Sequence, residues 1–252
     1  THRPLSDELT DALIAQKKRY PALDIQVISD PLNTLYGGRP SPHFAQLEAA
    51  GISVTLTDLT RLRDSNPAYS AFWRLFIQPF GNNEGELLPN PFGKGRVSLR
   101  SYLAMLNFKA NHRKLIIADD GTQLSALVTS ANPHDGSSAH GNVALQFNGA
   151  AAWDLFESEA AVLKFSDAPV PIPEIEQISE SSSNGLTVQV ITERSVERAS
   201  LEMIDGAEPG DKLDMAMFYL SDRDIIKALK RAAERGVSLR VLLDPNKDAF
   251  GR

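Results

Sequence analysis

The chain has 252 residues, of which 42% are hydrophobic and 23% charged, and this length allows one large domain or one domain and part of another. No apolar run is long enough to predict a membrane-spanning helix. The absence of cysteine excludes disulfides and thiolate catalysis without indicating a compartment. The formal net charge of -6 argues against general nucleic-acid binding.

Two kinds of segment alternate along the chain, amphipathic helical stretches and short β-rich runs. The predicted helices are 6–19, 42–50, 67–77, 150–165, 195–206 and 222–235. The predicted strands are 24–29, 52–56, 114–119, 124–129, 142–148, 186–192, 212–218 and 237–243. This alternation predicts an α/β fold around a mainly buried sheet. Asp120-Gly121 favours a tight turn, so strands 114–119 and 124–129 should form an antiparallel hairpin.

The stretch 169–185 is rich in Pro, Ser and Glu, and this composition predicts a linker or a mobile crossover. After it the α/β pattern begins again, and the end of the chain resembles its beginning. Both ends carry an amphipathic helix, a strand and an Asp-Pro pair, Asp30-Pro31 and Asp244-Pro245. We expect most of one repeat in 1–168 and the opening part of a second in 186–252. Chance similarity of two ordinary helix–strand units is the alternative.

One segment of this acidic chain is locally basic. No Asp or Glu occurs from Leu87 to Ala118, and this segment suggests an anion-binding site, with a run of solvated cations as the alternative. Its cations are Lys94, Arg96, Arg100, Lys109, Arg113 and Lys114.

The basic segment includes a His, a Lys and an Asp at fixed spacing, His112-x-Lys114-x4-Asp119. Alternation along a strand places His112 and Lys114 on one face. A neutral imidazole can attack phosphorus, and an ammonium can hold phosphate oxygens. Ser130 and Asn132, at the end of the next predicted strand, can donate hydrogen bonds to the same oxygens. Each residue also has a structural interpretation, as a surface His, a solvated Lys, a turn-starting Asp or loop formers.

The spacing of His112, Lys114 and Asp119, followed by Thr-Ser-Ala-Asn at 129–132, resembles the HKD motif of the phospholipase D superfamily. Bacterial phospholipase D-like and cardiolipin-synthase-like proteins are the most similar members. Residues 222–244 resemble the helix–strand unit that opens domains of this superfamily, and 142–165 resemble its post-motif strand and helix. The resemblance implies an α-β-α sandwich with a mixed β-sheet flanked by helices. In that frame, domain 1–168 carries the motif and lacks its first strand, and domain 186–252 stops at Arg252.

The resemblance also implies a role for each motif residue. His112 is the nucleophile that forms a covalent phosphohistidine, Lys114 binds the phosphate with Ser130 and Asn132, and Asp119 has a structural or orienting role. No cofactor and no metal are implied.

Two features depart from the family pattern. Nine residues separate Asp119 from Thr129, which is a longer gap than usual. The downstream acidic residue that usually orients the imidazole is absent, and Asn142 and His140 occupy that neighbourhood instead, with His134 and His140 as candidates for proton transfer.

The implied activity is phosphodiester hydrolysis or transphosphatidylation on phospholipids. The alternatives are a nuclease-like phosphodiesterase of the same superfamily and a catalytically silent, membrane-associated relative. The expected partners are a phospholipid or other phosphodiester substrate, a membrane surface, and a second HKD half from beyond Arg252 or from a homodimer. The resemblance implies a bacterial protein and leaves its localisation unknown, at the cytoplasmic membrane or in the periplasm.

The aromatic stretch 66–81 predicts an amphipathic helical face that packs in the core. Its alternative is a lipid-facing lip beside the site. The apolar side chains of that face are Tyr69, Phe72, Trp73, Phe76 and Ile77.

Overall fold

The computed structural model describes residues 4–91, 95–138, 140–175 and 187–244. The chain divides into two compact units, Thr1–Val188 and Gln189–Arg252. Helices and strands alternate in both units, so the predicted α/β class is confirmed. None of the helices in the described ranges has the length and apolar character needed to cross a bilayer.

The first unit contains helices α1 to α6 and strands β1 to β7. Its helices are α1 (Leu5–Arg19), α2 (Pro42–Ala49), α3 (Pro67–Phe76), α4 (Leu99–Met105), α5 (Asp135–Ser138) and α6 (Ala150–Phe165). Its strands are β1 (Gln26–Ser29), β2 (Ser53–Leu56), β3 (Leu88–Pro89), β4 (Arg96–Val97), β5 (Leu115–Asp119), β6 (Leu124–Thr129) and β7 (Ala144–Asn148). Single 3-10 turns follow β1 and β2, at Pro31–Thr34 and Leu59–Arg61.

The described strands of the first unit form three small sheets. Strands β1 and β2 pair in parallel, whereas β3 and β4 form a short antiparallel pair. Strands β5, β6 and β7 form an antiparallel meander, so the predicted hairpin is confirmed. Leu124 and Ala126 of β6 are buried, and α6 packs against β6 and β7. The meander is the sheet that presents the motif.

The second unit contains α7 (Arg194–Asp205), β8 (Lys212–Met217), α8 (Arg223–Glu234) and β9 (Ser238–Leu243). Strands β8 and β9 pair in parallel. The side chain of Asp222 accepts hydrogen bonds from two backbone N–H groups of the first turn of α8, which fixes where this helix begins. The buried core of the unit consists of Ile204, Ile225, Ala228, Leu229, Ala232 and Val237.

Some predicted elements differ from the observed ones. The predicted strand 186–192 is wrong, because residues 187–192 form neither strand nor helix and pair with none of the described strands. A β-rich run becomes a strand only where a partner is available. Helix α4 was not predicted, since its seven residues are too few to show a clear period. Of the predicted linker, 169–175 are irregular, and 176–185 lie outside the described residues.

Candidate functional site

The first two motif residues precede the meander instead of lying within it. Strand β5 begins at Leu115, so the expectation that His112 and Lys114 lie on a strand is wrong. The N–H of Thr129 donates to the carbonyl of Lys114 at 2.9 Å, whereas the N–H of the next residue, Ser130, donates to Val143 at 3.0 Å. Successive residues of this central strand bond alternately to its two neighbours. Lys114 is thus bonded to the end of β6, and His112 lies two residues before it, outside β5.

Although they are not on a strand, His112 and Lys114 are in contact. The ammonium nitrogen of Lys114 lies 2.7 Å from the carbonyl oxygen of His112 and 3.2 Å from its Nδ1. A lysine ammonium that donates to Nδ1 requires a neutral ring whose proton is on Nε2. Burial lowers the pKa of Lys114, whereas His112 is exposed to solvent. A cation and a solvent-accessible imidazole therefore share one end of the meander.

Ser130 lies at the same end of the meander, in a network of loop hydrogen bonds. Its hydroxyl donates to Oδ1 of Asn142 and accepts from the N–H of Val143, both at 3.0 Å. The amide nitrogen of Asn142 donates to the carbonyls of Ser137 at 2.7 Å and His140 at 3.1 Å. The structure therefore joins Asn142 to Ser130 and to the backbone of His140.

Asn132 follows two residues after Ser130. Its backbone N–H donates to the hydroxyl of Ser137 at 2.8 Å, and its carbonyl accepts from His134 at 2.8 Å. These bonds fold the loop after β6 back on itself. Asn132 and Ser130 thus enter the same loop network beside the start of β5.

Asp119 lies at the other end of β5, where it pairs with Leu124. Its Oδ1 accepts from the N–H of Gly121 at 3.1 Å, which is the bond of a turn-starting aspartate. Five residue steps of about 3.3 Å each separate it from Lys114 along the strand, or roughly 17 Å. The neighbouring Asp120 accepts three hydrogen bonds from Thr122 and Gln123, which lower its pKa to about 2. Both carboxylates serve the hairpin turn.

The residue before His112 is held from two directions that sequence reasoning missed. The backbone N–H of Asn111 donates to Oδ2 of Asp30, the residue that follows β1. The side-chain amide of Asn111 donates to Oγ1 of Thr57, which follows β2, at 2.9 Å. In the sequence, Asp30 stands out only as part of the Asp-Pro pair of the repeat.

The residue after His112 is anchored to α6. The Arg113 guanidinium donates to Oε1 of Glu159 at 3.0 Å and to the carbonyl of Ser158 at 3.4 Å. Glu159 is only 8% exposed, and burial raises its pKa more than the nearby Arg113 lowers it. Arg113 is thus tied to α6.

The described cations of the basic segment do not form one anion-binding cluster. Arg100 donates to the carbonyls of Ile77 and Gln78 at 2.6 and 2.9 Å, and so caps the carboxyl end of α3. Arg96 donates to the carbonyl of Glu86 at 2.7 Å, and the buried Lys109 binds Asp64 at 2.7 Å. Lys94 lies outside the described residues. Of the described cations in this segment, Lys114 has the imidazole as its side-chain partner.

Helix α3 is only partly covered. Tyr69 donates to the carbonyl of Leu103 at 2.8 Å, and Arg100 lies over the ring of Trp73 at 5.3 Å from its centroid. The rings of Phe72 and Phe76 contact at 5.2 Å with their planes tilted by 38°, and both stay exposed, Phe76 by 62%. The expected packing of the whole aromatic face in the core is therefore wrong for these two residues.

Within the described ranges, no group of three or more His, Asp or Glu side chains is placed to hold a metal ion. The residues at the motif end of the meander are a lysine, an imidazole, hydroxyls and amides. This set suits an anionic ligand better than a cation.

Comparison with known protein families found a match within the second unit. Residues 200–251 match the family model described as "Cardiolipin synthase, PLD-like domain". Residues 200–251 are therefore similar to a phospholipase D-like domain. The match includes α8 and β9, the helix–strand unit whose sequence resembles the opening of a phospholipase D-like domain, so the recognition of this superfamily is confirmed. No curated protein and no solved structure matches the chain. The phospholipase D-like match indicates the phosphodiester chemistry of the superfamily, and the HKD-like motif lies outside the matched residues.

Proposed function

We propose that this chain acts in phosphodiester hydrolysis or transphosphatidylation on phospholipids, through a covalent phosphohistidine at His112. The observation that carries this proposal is the contact between His112 and Lys114 at the exposed end of the meander. A nucleophile and a cation that touch in the free protein can both reach one phosphate group.

The proposed first step begins with binding of the phosphodiester. The Lys114 ammonium exchanges its contact with His112 for a non-bridging phosphate oxygen, so that Nδ1 can take the ring proton and Nε2 can present its lone pair. Nε2 then forms a bond to phosphorus while the bond from phosphorus to the leaving oxygen breaks, and that oxygen keeps the electron pair. Lys114 stabilises the negative charge on the phosphoryl oxygens through this step.

In the second step the acceptor, water or an alcohol, attacks phosphorus and gives its proton to the group of the proposed second motif that protonated the leaving oxygen in the first step. The bond between phosphorus and Nε2 breaks, and the electron pair returns to the imidazole. The hydroxyl of Ser130 and the amide of Asn132 are proposed as further donors to the phosphoryl oxygens. For Ser130 this requires its proton to turn away from Asn142, which now accepts it at 3.0 Å. Asp119 is proposed to act structurally, through the hairpin turn.

A leaving alcoholate needs a proton, and we propose that a second motif supplies it. The sequence contains a single His-x-Lys-x4-Asp. A second half would come from a further segment of the gene product or from a second copy of the chain. In this proposal, 1–168 form the first phospholipase D-like domain, 169–185 a linker, and 186–252 the opening of a second domain.

We propose a phospholipid surface as the partner of the first unit. Phe72, Leu75, Phe76 and Phe80 are exposed on and just after α3, as large apolar side chains of a membrane-contacting helix would be. Arg100 donates to the carbonyls of Ile77 and Gln78 at the end of α3, so it carries positive charge next to this patch.

A substrate with an excellent leaving group tests the nucleophile without the second motif. Bis(4-nitrophenyl) phosphate releases 4-nitrophenolate, which leaves as an anion and needs no proton donor. We expect a burst of up to one 4-nitrophenolate per chain and an acid-labile phosphoramidate on His112 by mass spectrometry. His112→Ala abolishes both, whereas the control His43→Ala, at a histidine paired with Asp7 on α1, keeps both. No phosphohistidine in the unsubstituted chain, or an undiminished burst in His112→Ala, overturns the proposal.

The substrate class is tested on the complete gene product. We expect release or transfer of the headgroup from phosphatidylglycerol vesicles and no cleavage of single-stranded DNA. Cleavage of DNA without action on the vesicles would instead support the nuclease-like alternative.

A further inference from the structure

We propose that Asp30 is a positioning residue for His112, acting through the backbone of Asn111; the inference rests on the proposed function. Asp30 follows β1, and its carboxylate accepts two backbone N–H groups. Oδ1 accepts from Leu32 at 2.7 Å, which caps the 3-10 turn, and Oδ2 accepts from Asn111, which is 81 residues away. The second bond ties the end of β1 directly to the residue before the proposed nucleophile.

Thr57 completes the attachment from the neighbouring strand. Ser29 and Leu56 are partners in the parallel β1–β2 pair, so Asp30 and Thr57 leave the sheet side by side at the carboxyl ends of the strands. Thr57 is 2% exposed, and its Oγ1 accepts from the side-chain amide of Asn111 at 2.9 Å. Backbone and side chain of Asn111 are therefore each held by a different strand end.

The other side of His112 is held as well. Oδ1 of Asn111 accepts from the N–H of Arg113 at 3.3 Å, and the Arg113 guanidinium binds Glu159 of α6. His112 lies between two anchored residues, and its own ring is exposed. Since no strand ladder holds this stretch, these contacts set the backbone position from which the imidazole projects.

An ordinary cap would not need the second bond of Asp30. Asp58, which follows β2 by two residues, provides the comparison in the same chain. Its Oδ1 accepts from the N–H and hydroxyl of Thr60 at 2.9 and 2.6 Å, and its Oδ2 pairs with Arg61 at 3.5 Å. Both aspartates cap a 3-10 turn after a strand, and of the two only Asp30 is bonded to the motif segment in the described contacts.

The test compares Asp30→Asn with Asp58→Asn in the 252-residue chain. An asparagine has one acceptor oxygen, so Asp30→Asn can keep only one of the two bonds and turns an NH₂ group towards the other N–H. We expect amide hydrogen exchange at Asn111 to become at least about tenfold faster, as for the loss of a hydrogen bond to a charged acceptor. We also expect a change in the side-chain ¹⁵N signals of His112. Asp58→Asn changes neither.

Kinetics separate positioning from simple stability. In the bis(4-nitrophenyl) phosphate assay, Asp30→Asn should slow the burst about tenfold, as for a misplaced reacting group, and leave its half-saturating substrate concentration unchanged. Thr57→Val is the second variant, because it keeps the shape of the buried side chain while removing the acceptor for Asn111. It should shift the His112 signals in the same direction.

Two outcomes overturn the inference. One is retained protection of the Asn111 amide in Asp30→Ala, which removes both acceptor oxygens. The other is lost protection with unchanged His112 signals and an unchanged burst rate. If the unsubstituted chain forms no phosphohistidine, the proposed function fails, and the exchange and ¹⁵N measurements still decide whether Asp30 positions His112.

Discussion

The ammonium nitrogen of Lys114 lies 3.2 Å from Nδ1 of His112 in the free protein. A phosphate group therefore competes with the imidazole for the lysine. The ammonium has three N–H groups, and His112 takes two of them through Nδ1 and its carbonyl, so a phosphate that accepts more than one bond displaces the imidazole. Phosphate binding should thus change which ring nitrogen of His112 carries the proton.

Removal of the lysine charge should weaken anion binding. Lys114→Met is expected to lower the affinity for inorganic phosphate by roughly 10- to 100-fold, the usual effect of losing a hydrogen bond to a charged group. Phosphate titration followed by ¹⁵N spectra of His112 measures this. Lys164→Met, which removes an exposed charge in the last turn of α6, serves as control. Equal loss of affinity in both variants would assign the effect to net charge alone.

The alkaline limit of anion binding should report on Lys114. Burial lowers its pKa below the ordinary lysine value of 10.5, so the ammonium is present at low pH and is lost as pH rises through the lowered pKa. Phosphate affinity should therefore decline at a lower pH than for an ordinary lysine. In Lys114→Arg the phosphate affinity should decline at a higher pH, because guanidinium stays charged above about pH 12. The same alkaline decline in both proteins would exclude Lys114 as its cause.

The Arg113–Glu159 pair should matter for stability in a pH-dependent way. Arg113→Met leaves a buried carboxylate without its cation and should lower the free energy of unfolding by about 2 kcal/mol at pH 8, less than for a fully buried pair. Because the pKa of Glu159 is raised in the folded chain, protonation of this carboxyl stabilises the fold, and the contribution is complete below the pKa of the unfolded chain. That contribution is lost as pH rises through the folded pKa, because the buried carboxyl then ionises. Arg113→Met should therefore lower the free energy of unfolding less at pH 5 than at pH 8. Urea unfolding at both pH values measures the difference.

A second substitution checks the origin of that loss. Arg113→Met with Glu159→Gln removes both charges and should recover most of the stability at pH 8. A double variant no more stable than Arg113→Met would mean that packing of the arginine, and not the buried charge, is responsible.

The exposed rings of α3 should contribute to vesicle binding. Phe72→Ser with Phe76→Ser is expected to weaken binding to phosphatidylglycerol vesicles at least about tenfold, because two apolar side chains no longer enter the bilayer interface. Co-sedimentation with vesicles measures the bound fraction. Phe218→Ser removes a similarly exposed ring, 51% accessible, from the second unit and should have little effect.

Local patterns predicted local structure well. The 3.6-residue period predicted both ends of α6, and Asp120-Gly121 predicted the β5–β6 hairpin. Both elements are specified by residues that are neighbours in the sequence. The run at 186–192 shows the limit of that reasoning. Its residues favour a strand, but a strand needs a partner, and sequence alone does not supply one.

The site was predictable as a set of residue types and less so as a geometry. His112 and Lys114 were expected to be neighbours, and they are in contact, although through side-chain and backbone bonds instead of a shared strand face. The bond from Asn111 to Asp30 spans 81 residues and has no local signature. Contacts of this kind depend on how β1 and β2 place their ends, which only the folded chain shows.

The β5–β6 turn offers a place for a spectroscopic label. It lies roughly one strand length, about 17 Å, from Lys114, and Thr122 at its tip is exposed. Because the chain contains no cysteine, Thr122→Cys would introduce its sole thiol, open to a maleimide dye. Such a dye would be near enough to report binding of a labelled lipid by energy transfer and far enough to leave the imidazole unobstructed.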